Sequence, residues 1–162
     1  MDGYTIRVAL EQELARCAAV LREAFGTVAR EFSLTQQNCP TNAAFITDER
    51  LTEEYRMGRE QFVLCAGEEI IGFAELTIKD GQTVELGRLA VLPEHRHEGG
   101  GALLLDYAKN RARALGAQQI TIGIIEENTR LRRWYEAHGF VHTGTKRFDH
   151  LPFTVGFMHT VL

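Results

Sequence analysis

Hydrophobic and polar positions alternate from Tyr4 to Val8, which predicts a first strand. Leu14, Cys17, Ala18, Leu21 and Phe25 then recur at helical spacing, so a helix is predicted from Glu11 to about Phe25. Gly26 stands where such a helix would end. Periodicity is lost from Thr27 to Phe45, where Ser33, Gln36, Gln37, Asn38 and Pro40 mark a long connection. Thr47-Asp48-Glu49-Arg50 opens a short helix that runs to Met57-Gly58. Phe62–Ala66, Ile70–Ile78 and Thr83–Val91 read as three strands joined by tight turns at Gly67-Glu68-Glu69 and Lys79-Asp80-Gly81, an antiparallel meander. Gly101 to Leu115 has the clearest helical face, closed by Gly116. A strand at Gln119–Ile125, a helix at Thr129–His138 closed by Gly139, and strands at Phe140–Arg147 and Phe153–Val161 complete the chain. The strand at Thr83–Val91, its helix and the strand at Gln119–Ile125 form one β-α-β unit, so those two strands are expected to be parallel.

Composition narrows the class without naming a function. With 162 residues, 44% of them hydrophobic and 25% charged, the chain suits one domain spanning 1–162 with a sizeable core. A net charge of −4 argues against a broad nucleic-acid-binding face, and no nucleic-acid partner is expected. No apolar run nears the ~18 residues of a membrane span, and the first residues lack a secretory layout, so no membrane association is expected. Three cysteines at wide spacing suggest neither a disulfide framework nor a zinc cluster, and a reducing cytoplasm is the expected setting. The only serine, Ser33, has no nucleophile-elbow context, and there is no P-loop.

The most informative stretch runs from Leu89 through Pro93 to Ala102, where a strand enters a loop that opens a helix on three glycines, Gly99, Gly100 and Gly101. Glycine in a first helical turn costs about 1 kcal/mol relative to alanine. A ligand lying too close to the backbone for a Cβ would compensate, and free N–H groups at a helix start suit a phosphate, with Arg96 as a charge partner. The alternative is a flexible turn without a ligand. A dinucleotide fingerprint fails, because Leu104 stands where its third glycine belongs and a meander precedes the loop.

The run Arg96-His97-Glu98-Gly99-Gly100-Gly101 resembles the acyl-CoA-binding motif Arg/Gln-x-x-Gly-x-Gly/Ala of the GNAT superfamily of N-acetyltransferases. The run Asn128-Thr129-Arg130-Leu131-Arg132-Arg133-Trp134-Tyr135-Glu136-Ala137-His138-Gly139-Phe140 resembles that family's second segment, an Asn seven positions before a Tyr with Gly-Phe following. The resemblance implies an α/β fold, a single-domain, mixed and mostly antiparallel sheet with a central parallel β-α-β unit and flanking helices. It also implies acetyl-CoA as cosubstrate and acetyl transfer to a primary amine in a ternary complex. By resemblance the coenzyme is held by Leu89, Ala90, Val91, Arg96, His97, Glu98, Gly99, Gly100, Gly101, Ala102, Asn128 and Tyr135, with the amide of Leu89 or Ala90 facing the thioester oxygen.

The chemistry asks for an acid and a base. Asn128 and Tyr135 lie about two turns apart on one helix face, and a tyrosine hydroxyl can donate to a departing thiolate. Tyr135 is therefore the candidate acid, against a plain core tyrosine, and Asn128 is also a candidate N-cap. Glu85, on the same strand face as Gly87 and Leu89, is the candidate base or water-ordering group, with Glu75, Asp149 and His150 in reserve. The trio His95, His97 and Glu98 falls inside the phosphate loop, so no metal is expected. Arg130, Arg132 and Arg133 form a basic cluster, either a solvated face or a contact for coenzyme phosphates.

The acceptor is expected to be a small amine, in a pocket with acidic candidates Glu31, Asp48, Glu49, Glu75, Glu85 and Asp149 and apolar candidates Phe32, Phe45, Phe148 and Phe153. A module that binds acyl-CoA without turnover, or an acetyltransferase for protein N-termini or lysines, remain as alternatives. The stretch Phe153–Met158 is expected to form an exposed edge able to pair with a second copy in a homodimer.

Overall fold

A computed structural model describes residues 3–162. Its elements are β1 (Tyr4–Val8), α1 (Leu14–Glu31), α2 (Asp48–Arg56), β2 (Glu60–Ala66), β3 (Glu69–Ile78), β4 (Thr83–Val91), α3 (Gly100–Ala114), β5 (Gln119–Ile125), α4 (Thr129–Ala137), β6 (Val141–Arg147) and β7 (Thr154–Val161). The strands form one seven-stranded sheet in the order β1-β2-β3-β4-β5-β7-β6. Among the described residues only β4 and β5 pair in parallel, as the β-α-β pattern requires.

Strand pleating separates the two faces. Gln61, Glu75 and Gly87 are successive cross-strand partners, and α2 meets this side through Glu54. Leu64 and Gly72 are partners on the opposite side, which α3 covers. Trp134 of α4 sits beside Gly101 of α3, so those two helices share that face. The main core is almost fully enclosed, with Phe62, Phe73, Leu64, Leu104, Leu105 and Ile120 at 2% exposure or less. Burying side chains of this size contributes roughly 1.5–3 kcal/mol each.

Two expectations need correction. Gly26 does not end the first helix: α1 continues to Glu31, because its last turns pack Val28 and Ala29 into a second apolar cluster with Leu34, Cys39 and Ile125. That packing outweighs the ~1 kcal/mol cost of one helical glycine. The stretch Phe153–Met158 is not an edge either. Strand β7 is hydrogen-bonded to β5 on one side and β6 on the other, leaving β1 and β6 as the edges. The exchange of β6 and β7 between sequence order and sheet order is invisible in a hairpin pattern.

Glycines let α3 approach the sheet closely. A Cβ on Gly100 would lie 2.7 Å from Leu64 Cδ2, and one on Gly72 would lie 2.9 Å from the Ala90 carbonyl and 3.0 Å from Leu64 Cβ. Leu64 thus fills the space that two glycines vacate. Gly72→Ala is expected to destabilise the fold by about 1–3 kcal/mol through overpacking, read as a lowered urea midpoint. Gly81→Ala, with nothing within 4 Å of the added carbon, should leave the midpoint nearly unchanged.

Candidate active site

The parallel pairing of β4 and β5 covers only Thr83–Glu85 against Gln119–Thr121. Beyond Glu85 the strands diverge, and the gap opens into a cleft of about 600 Å³. Its walls come from the end of α1, the second half of β4, the loop into α3, the end of β5 and one side of α4.

A bulge bends β4 away. Between the pairs Glu75↔Gly87 and Phe73↔Ala90, β4 spends one residue more than β3, and Arg88 adopts a left-handed φ of 50°. A non-glycine residue in that region is strained and persists where surroundings over-determine it. Here they do. Arg88 is paired with Glu54 of α2 and lies 3.1 Å from Glu75, and both carboxylates are nearly inaccessible. Arg50 and Arg59 complete the cluster around Glu54, and Arg59 and Gln61 reach Glu75. Burial pushes the Glu54 carboxyl up, but the Arg88, Arg50 and Arg59 guanidiniums outweigh it and hold the group below its ordinary value of 4.5.

The bulge also settles which amides face the gap. Leu92 donates to the Ile71 carbonyl at 2.8 Å, and hydrogen-bonded positions alternate along an antiparallel ladder. Ala90, two residues earlier and opposite Phe73, is therefore turned towards β3. Leu89 and Val91 turn towards β5 and the cleft.

The loop is built in parts that do different things. Gly99, the N-cap of α3, has φ 90°, and His97 has φ 65°. Gly100 is enforced by Leu64, as described above, and not by close ligand approach; Gly101 faces Trp134 and lines the cleft. No backbone acceptor among the described residues takes the amides of residues 97–102, the orphan donors expected where a helix begins. Arg96 is less free than its sequence position implies. Its guanidinium donates to the carbonyls of Ala24 (2.9 Å) and Val91 (3.3 Å), tying the loop to α1. Burial lowers its proton affinity, and the nearby Arg130 charge adds to that. Glu98 is exposed and holds the loop from outside, accepting from Tyr4 and lying 3.2 Å from His95.

Across the gap, Asn128 caps α4, its side-chain oxygen accepting from the Leu131 amide at 3.2 Å. Tyr135 stands two turns on, buried between Trp134 and Phe140 at ring distances of 5.0 and 5.2 Å. Both line the cleft. Burial pushes the Tyr135 phenol well above its ordinary value, so it stays protonated across the physiological range.

The structure brings Leu89, Ala90, Val91, Arg96, His97, Gly99, Gly100, Gly101, Ala102, Asn128 and Tyr135 to this one cleft, and leaves Glu98 on its outer rim. Glu85 is not brought there. It lies where β4 and β5 are still paired, is 43% exposed, and faces Lys79 at 3.8 Å. Four residues along a strand shared its face with Leu89 on paper, but the bulge breaks that parity. Glu75 is buried but fully engaged, while Asp149 and His150 are exposed and away from the cleft. Asp48 is paired with Arg22. Sequence reasoning missed Arg88 and Glu54. A glycine-arginine pair inside an apolar strand, Gly87-Arg88, was the available sign of a bulge.

Residues 27–140 match the family model described as the acetyltransferase (GNAT) family. An uncharacterised N-acetyltransferase from Mycobacterium tuberculosis is 30% identical over 115 residues, covering 67% of this chain and 74% of that protein. An amino-acid acetyltransferase from Pseudomonas putida is 34% identical over 130 residues, but that stretch covers 79% of this chain and only 29% of the relative. Among solved structures, a GNAT family acetyltransferase from Elizabethkingia anophelis with acetyl-CoA bound superposes with a TM-score of 0.67 at 17% identity, covering all of both chains. The ribosomal-protein-S18-alanine N-acetyltransferase of Escherichia coli superposes with a TM-score of 0.77 at 16% identity, covering 98% and 93%.

Removing Arg88 would leave two buried carboxylates short of a partner. Arg88→Met is expected to cost about 3–5 kcal/mol at neutral pH, measured by urea denaturation. Because the Glu54 carboxyl is held low in the fold, its contribution is present above about pH 4.5 and fades as pH falls below that. Wild-type stability should therefore rise through this acid range, and the variant should show a smaller rise.

Proposed function

Because the chain belongs to the GNAT family of acetyltransferases, an acetyl-CoA-dependent acyltransferase family, we propose that it moves an acetyl group from acetyl-CoA to the primary amine of a small molecule. One observation carries this reading: His97 and residues 99–102, whose amides are orphan donors, line the same cleft as Tyr135, on either side of the β4–β5 gap.

When bound, acetyl-CoA supplies the thioester. The loop amides and the start of α3 hold its pyrophosphate, where the helix dipole favours negative charge. Val91 and Asn128 position the pantetheine arm in the gap, and the Leu89 amide faces the carbonyl oxygen as charge develops on it. One such donor typically contributes about 2.7–4 kcal/mol to the transition state. The neutral amine forms the new C–N bond as the C–S bond breaks, and Tyr135 donates towards the departing sulfur.

The raised phenol is compatible with that role. A thiolate forming in the same enclosed cleft is disfavoured by the same desolvation, so its proton affinity also rises. Neither Glu75, which is saturated, nor Glu85, which lies outside the cleft, is poised as a base near Leu89. The acceptor's proton then leaves through solvent, and kcat/KM should rise with pH up to the acceptor's own pKa.

A screen of primary amines by thiol release tests the reading, and absence of CoA release with any amine despite acetyl-CoA binding would overturn it in favour of a non-catalytic binding module. Tyr135→Phe is expected to lower kcat by about 10²-fold or more while acetyl-CoA binding is kept. Gly101→Glu, which adds bulk beside Trp134 and a negative charge at the loop, should weaken acetyl-CoA binding by calorimetry.

A further inference from the structure

Among the described residues, the acidic and basic side chains lining the cleft are Glu31, Arg88, His95, Arg96, His97 and Arg130. Glu31 is the sole carboxylate among them. It ends α1, where the helix dipole adds further negative potential. It is also already engaged, because Nη2 of Arg130 reaches Oε1 at 2.7 Å and Oε2 at 2.9 Å, joining the α1 wall to the α4 wall. Arg130 commits only that one nitrogen, is 79% exposed, and stands two residues after Asn128. It lies near enough to the phosphate loop for its charge to act on Arg96.

From this geometry we infer that Glu31 and Arg130 form a charge latch across the cleft, Arg130 being drawn off by coenzyme phosphate and Glu31 thereby freed to bind the ammonium of a cationic acceptor. The inference rests on the acetyltransferase reading and adds the charge class of the acceptor. Each ligand loosens the partner that the other needs, so the two bind with positive coupling. Exposed ion pairs of this kind are weak, which limits the coupling to about twofold to fivefold. No covalent step is involved.

Calorimetric titration of acetyl-CoA into wild type, Glu31→Gln, Arg130→Gln and the double variant tests the latch. Glu31→Gln should tighten binding about twofold to fivefold by releasing Arg130, and Arg130→Gln should weaken it. In the Arg130→Gln background, Glu31→Gln should have no further effect. An equal tightening in both backgrounds would reduce Glu31 to a diffuse charge and overturn the latch, as would no tightening in either. The acceptor claim is read by thiol release with L-phenylalaninamide, a cation, against L-phenylalanine, a zwitterion. Wild type should favour the amide in kcat/KM, and Glu31→Gln should bring the two closer. An unchanged or reversed preference, or no turnover of either, contradicts the claim. Failure of all four proteins to bind acetyl-CoA would instead strike the acetyltransferase reading itself.

Discussion

The cleft depends on one buried electrostatic arrangement, the hold of Glu54 and Glu75 on Arg88. A strand in a continuous sheet would keep its neighbour for its full length, as β2 does with β3. Strand β4 leaves β5 after three pairs because an extra residue enters between Gly87 and Ala90, and that residue is an arginine in a left-handed conformation. Such a bulge is stable only if the side chain is anchored. The anchor comes from two other elements, α2 and β3, so the opening of the cleft is written into the packing of the domain's far side. Buried ion clusters of this kind add little net stability over apolar packing, but breaking one is costly. Its value here is geometric. It decides which backbone amides face the gap.

The three glycines of the loop illustrate a division of labour that their adjacency conceals. Gly99 supplies a left-handed cap, Gly100 makes room for Leu64, and Gly101 lines the cleft against Trp134. Only the last matches the simple idea of glycine as space for a ligand. The close approach at Gly100 nevertheless serves the site, since it seats the start of α3 near the sheet and points its orphan amides at the gap. Core packing and the lining of the cleft are thus carried by neighbouring residues of one turn. Arg96 contributes from behind by fastening this loop to α1.

Much of this was legible in the chain. Period-two and helical patterns located the strands and helices, and the parallel pair followed from the single β-α-β unit. What stayed hidden was set by tertiary contacts. The last turns of α1 form despite Gly26, because Val28 and Ala29 find a partner cluster about which local propensity says nothing. The insertion of β7 between β5 and β6 is a matter of pairing order. The bulge had the largest consequence: counting by twos from Leu89 placed Glu85 on the reacting face, and one extra residue undid that count. Motif-bearing residues such as Asn128 and Tyr135 were found readily because short spacings on one helix are fixed by its geometry. Arg88 and Glu54, 34 positions apart, left no local pattern.

The central claim is that the bulge creates a slot whose free amides receive acetyl-CoA. Amide hydrogen exchange with and without acetyl-CoA tests it most directly. New protection is expected at Leu89 and Val91 and across His97–Ala102, with little change in β1 or β6. Protection confined to other segments, or none at saturating acetyl-CoA, would contradict it.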